Sequence, residues 1–137
     1  MAWFPNWQER REAILRHGLP AVVLNARITD GFVAIYFDID EQLLLRSHDA
    51  RGFPLHLTLG YVSDYGDGVA EAAAARLNQR YAGQWLMLQI EWIGGGGSAD
   101  LSPKDFLAMD EDVWWLHSRG HYGNGVHIKP RQLHVSL

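Results

Sequence analysis

Two five-residue stretches of this chain carry nearly the same side-chain pattern, Leu55-His56-Leu57-Thr58-Leu59 and Leu133-His134-Val135-Ser136-Leu137. Each reads aliphatic, His, aliphatic, hydroxyl, aliphatic. Successive side chains of a β-strand point to opposite faces, so each stretch would set its His and hydroxyl on one face and its aliphatics on the other. Composition alone predicts about 0.09 His-apolar-Ser/Thr-apolar quartets in such a chain, so two copies carry far more weight than one. Set close together, the two strands would offer two imidazoles and two hydroxyls to a common space. Imidazole titrates near neutrality, so one ring can accept a proton while the other donates one, and the hydroxyls can hydrogen-bond anionic oxygens. This is the equipment for cleaving a phosphoester with no metal or other cofactor.

Composition limits the rivals. The chain has 137 residues, 47% hydrophobic and 20% charged, which fits one soluble domain spanning 1–137. With no Cys, disulfides, thiolate nucleophiles and Cys-based zinc sites are excluded, and a reducing compartment is compatible. The net charge of −4 argues against binding long duplex nucleic acid through its phosphates, while a small phosphorylated nucleotide or an RNA 3′ end fits. There is neither an N-terminal signal-like run nor a stretch of 18 apolar residues, so no membrane association is expected and a cytoplasmic monomer is. His117, His121 and His127 are the residues a metal enzyme would use, but they lack a fixed ligand spacing. Gly94 to Gly97 do not follow a dinucleotide fingerprint or P-loop and read as a linker.

The motifs need elements to carry them. Asn6 to His17 reads as a helix stopped by Gly18. Ala21 to Ile28 and Phe32 to Ile39 read as strands joined at Thr29-Asp30-Gly31, a hairpin signal. Glu41 to Ser47 is ambiguous, and Asp49 to Pro54 is a loop leading to the first motif strand, Leu55 to Val62. Val69 to Tyr81 is the clearest helix, and Gln84 to Ile93 alternates as one strand. Ser102-Pro103-Lys104-Asp105 resembles a helix start that yields a single turn through Met109. Val113 to Leu116 reads as a strand, Ser118 to Pro130 as a loop and Leu133 to Leu137 as the second motif strand. The expected class is α+β, with mainly antiparallel sheet and flanking helices.

The paired motifs, about eighty residues apart, resemble those of the 2H phosphoesterase superfamily, which includes 2′,3′-cyclic phosphodiesterases of RNA and nucleotides and 2′-5′ RNA ligase-like proteins. The resemblance implies two β-sheet lobes with the motif strands facing across a central cleft. It assigns His56 and Thr58 to the first motif and His134 and Ser136 to the second, as the catalytic set. It also favours opening of a 2′,3′-cyclic phosphate to a 2′-phosphate. The family often has a helix just before the second motif, and His117 to Pro130 reads as too short and Gly-rich to hold it. Arg119, His121, Lys129 and Arg131 are candidates for charge toward the substrate, and Tyr61, Tyr122, Trp114 and Trp115 for stacking on a base. Two other functions fit the same residues: a binding module for a phosphorylated nucleotide or RNA end that lacks turnover, and a 2H enzyme acting on cyclic oligonucleotides or an ADP-ribose cyclic phosphate.

Overall fold

A two-residue turn at Asp30 and Gly31, both with positive φ (53° and 79°), fixes the longest hairpin of the computed structural model, because such a turn matches the twist of the strands it joins. The structure describes residues 7–39, 55–94, 98–119 and 133–136. In chain order the elements are α1 (Trp7–His17), β1 (Leu19–Thr29), β2 (Phe32–Ile39), β3 (His56–Tyr61), α2 (Val69–Tyr81), β4 (Trp85–Leu88), β5 (Ile90–Ile93), β6 (Ser98–Leu101), α3 (Glu111–Arg119) and β7 (His134–Ser136). The class is α+β: among the described residues there is one antiparallel seven-stranded sheet in the order β4-β1-β2-β3-β7-β6-β5, with three α-helices. The motif strands β3 and β7 are neighbours within this one sheet, aligned through Leu57 and Val135. Among the described residues no helix is long and apolar enough to cross a membrane.

The sheet curls because the chain itself connects its edges. β4 pairs with β1 at one edge and β5 with β6 at the other, yet only Gln89 separates them. Cα atoms two residues apart lie within about 7 Å, so the edges must come together. The Gln84 to Ile93 segment is therefore two strands, not the one its alternation predicts. The buried Asp105 carboxylate holds the break, with Oδ2 accepting from the Gln89 N–H at 2.6 Å and Oδ1 from the Leu107 N–H at 2.9 Å. Burial pushes this carboxyl above its usual range, against the pull of those N–H groups. The predicted single turn is there, closed by the Met109 N–H on the Asp105 carbonyl.

The main core, on one face of the sheet, is built from Val33, Ile35 and Phe37 of β2, Leu57 and Leu59 of β3, Val135 of β7 and the apolar stripe of α2. That stripe, Ala70, Ala73, Ala74, Leu77 and Tyr81, has the spacing of one helix face. Asn78 of the same helix clamps β1, its Oδ1 accepting from the Ala26 N–H at 2.6 Å and its Nδ2 donating to the Ala26 carbonyl at 2.8 Å.

The segment Val113 to Leu116 is helix, not strand. Asp110 caps it, with Oδ1 accepting from the Asp112 and Val113 N–H groups at 2.9 and 3.2 Å. Glu111 and Asp112 supply the negative charge that a first turn favours. Val113, Leu116 and His117 are its buried face, at i, i+3 and i+4. A helix thus reaches Arg119 before the second motif, where a loop from Ser118 was expected. The Asp110 carboxylate also accepts from the Tyr81 hydroxyl, and burial followed by that bond raises the phenol well above its usual range. Asp112 pairs with Arg76 and Arg80, and the Arg76 hydrogen bond above all holds its carboxyl below the usual range.

Candidate functional site

Directly paired residues of an antiparallel ladder put their side chains on the same face. Leu57 and Val135 are paired and both wholly buried in the core, so the alternate positions of the two strands lie on the other face. In this register His56 stands across from Ser136, and Thr58 across from His134. The histidines occupy opposite corners of a four-position square, and the hydroxyl residues the other two. Diagonal positions of this kind lie about 7–8 Å apart, against about 4.5–5.5 Å for direct pairs. The diagonal leaves room for a phosphoryl group between two imidazoles. His56, Thr58 and His134 are each half-buried. Ser136 is placed by its backbone position alone.

The register extends these rows across the sheet. Asn25, Tyr36 and His56 form one row, continued at Ser136 and Ser98; Arg27, Ala34, Thr58, His134 and Asp100 form the next. The His56 imidazole stacks on Phe32 with ring centres 5.6 Å apart and lies 5.1 Å from the Tyr36 ring. Phe32, Ala34 and Tyr36 form a small buried cluster of their own, separate from the main core. Over the Tyr36 ring, at 4.1 Å, sits the Arg27 guanidinium. Arg27, Phe32, Tyr36 and Asp100 were absent from the sequence candidates. The signal that could have found Arg27, Phe32 and Tyr36 is the alternation of the β1-β2 hairpin between its turn and the bulge at Leu24, whereas Asp100 joins them only through its pairing with His134.

Tyr61 reaches the same face through a second bulge. Val33 pairs with Gly60 but Ala34 pairs with Thr58, leaving Leu59 as the extra residue. Leu59 and Gly60 then both turn toward the core, and Tyr61, paired with Phe32, returns to the His56 side with 42% of its surface exposed. Position 60 must be glycine, because a Cβ there would run into the Tyr65 hydroxyl and press on the Leu116 carbonyl, to which that hydroxyl donates at 2.7 Å.

The remaining candidates divide. Arg119, Trp114 and Trp115 belong to α3, which packs through Val113 and Leu116 on the core side of β3, and Arg119 stacks on Trp115 at 4.7 Å. The structure does not group them with the histidines. His121, Tyr122, Lys129 and Arg131 lie outside the described residues, as does His127. His117, the remaining member of the metal alternative, is buried on α3, and no cluster of three or more metal-ligating side chains occurs among the described residues. Two described grooves, one lined by His17, Met87, Gln89 and Glu91 and another by Pro20, Val22, Asp38 and Trp85, do not include the motif residues. No protein-family model, curated protein or solved structure matches this chain.

Proposed function

We propose that this chain is a 2H-type phosphodiesterase that hydrolyses a 2′,3′-cyclic phosphate on a nucleotide or RNA end without a metal ion. The observation that carries this reading is the square formed by His56, Thr58, His134 and Ser136 on adjacent strands. Hydrolysis with in-line geometry needs a base on one side of phosphorus and an acid on the other, and two imidazoles on a diagonal suit that demand. One imidazole takes a proton from water as the water oxygen bonds to phosphorus. The other gives a proton to the ribose 3′-oxygen as its bond to phosphorus breaks, leaving a 2′-phosphate. Thr58 and Ser136 donate hydrogen bonds to the non-bridging oxygens, where negative charge grows in the transition state. The resemblance of both motifs to the 2H superfamily supports the same assignment.

The test is a hydrolysis panel of 2′,3′-cyclic mononucleotides, 3′,5′-cyclic nucleotides, cyclic dinucleotides and 2′-5′ oligonucleotides, with products assigned by phosphorus NMR. Turnover of the 2′,3′-cyclic substrates to 2′-phosphates, abolished by His56→Ala, is expected. Tight binding of cyclic phosphates with no turnover of any substrate would make the protein a binding module instead.

A further inference from the structure

Resting on the reading of this face as a cyclic phosphodiesterase, we propose that Arg27 binds a second phosphate of the substrate, one nucleotide unit from the scissile one. The substrate class is then an oligonucleotide bearing a 3′-terminal cyclic phosphate rather than a lone cyclic nucleotide. Arg27 stands in the row of Thr58 and His134, two strand spacings or about 10 Å from Thr58. Its guanidinium lies over the Tyr36 ring, which in turn lies beside the His56 imidazole, so the charge is carried back toward the histidines.

Arg76 and Arg80 both pair with carboxylates, whereas among the described residues no ion pair engages Arg27. A guanidinium has five N–H donors, so one held over an aromatic ring has donors to spare for the paired oxygens of a phosphate. Beneath it the Tyr36 ring is wholly buried, a fixed platform on which the cation rests by its attraction to the ring face. Exposed Tyr61, on the same face, adds a surface on which an unpaired base can stack. A cation for the backbone and an aromatic ring for the base are what a single-stranded end requires.

The experiment compares kcat/KM for three substrates: a 2′,3′-cyclic mononucleotide, the same compound with a 5′-phosphate, and a dinucleotide ending in a 2′,3′-cyclic phosphate. The wild-type protein should favour the dinucleotide over the plain mononucleotide by about 10- to 100-fold, the range of one charge-assisted hydrogen bond, and chiefly through KM. Arg27→Ala should collapse that preference toward unity, and Arg27→Lys should keep part of it. The salt slope for dinucleotide binding should fall by about 0.7 on loss of the contact. Equal use of mononucleotide and dinucleotide by the wild type, or a preference that survives Arg27→Ala, overturns the inference and leaves the site reading standing. A preference for the 5′-phosphorylated mononucleotide alone overturns the oligonucleotide assignment. Failure to cleave any cyclic phosphate removes the site reading, and this inference with it.

Discussion

Replacing Asp105 should open the curled sheet at its seam. Its two carboxylate oxygens accept from the N–H groups of Gln89 and Leu107, and Gln89 is the residue at which β4 becomes β5. Asp105→Ala leaves both donors without that acceptor, the Leu107 N–H in a buried setting and the Gln89 N–H in a partly buried one, and each such group costs about 1–3 kcal/mol. The expected loss is about 2–6 kcal/mol, a large fraction of the roughly 5–15 kcal/mol by which domains are stable. Asp105→Asn keeps the volume but offers one acceptor for two donors, so it should cost about half as much, about 1–3 kcal/mol. Urea unfolding followed by Trp fluorescence measures both variants, with the slope m showing whether the cooperative unit is intact. Destabilisation of less than about 0.5 kcal/mol in Asp105→Ala would refute the seam argument. So would an Asn variant as stable as the wild type, since its amide would turn an NH2 donor toward one of the two N–H groups that meet different carboxylate oxygens in Asp105. Because β6 lies between the seam and His134, the alanine variant should also lose turnover before it loses its helices.

Activity should follow a bell-shaped pH profile, and His56→Ala or His134→Ala should each lower kcat by several orders of magnitude; the double variant should be little worse than the poorer single one, because acid and base act as a unit. Thr58→Ala should be milder, about 10- to 1,000-fold in kcat, since it removes one hydrogen bond to developing charge; a larger loss than for the histidine variants would reassign the roles. Turnover should be unchanged by EDTA, and loss followed by rescue with Zn²⁺ would redirect attention to a metal mechanism. Asp112 is held below its ordinary range by Arg76 and Arg80, so the stability it adds is present above that range and is lost as pH falls through the lowered value. The pair is largely at the surface, so Asp112→Asn should flatten the acid limb of a stability-pH curve by less than about 1 kcal/mol. Asp110→Ala should cost more, about 0.5–2 kcal/mol for the α3 cap alone, read from the urea midpoint.

The sequence by itself determined the local elements with short-range causes. The Asp30-Gly31 turn, the Ala-rich α2 and the alternation in both motif strands depend on neighbouring residues only, so hairpin, helix and the shared face of each His and hydroxyl were legible. Asp110-Glu111-Asp112, the cap and first turn of α3, also act locally, yet the sequence reading made Val113 to Leu116 a strand, because so short a run with adjacent Trp residues carries no clear helical period. Tertiary structure alone decided which strands are neighbours. Alternation states that a strand has two faces and says nothing about its partner, so the adjacency of β3 and β7, and with it the square of four residues, arises only when the core is packed. It also decided the break at Gln89, where alternation continues but the two halves pair at opposite edges of the sheet, held by a carboxylate sixteen residues away. The bulges at Leu24 and Leu59 likewise answer to partner strands: the one at Leu59 brings Tyr61 onto the face of the histidines, while Arg27 reaches that face through its pairing with Ala34, between the Leu24 bulge and the hairpin turn.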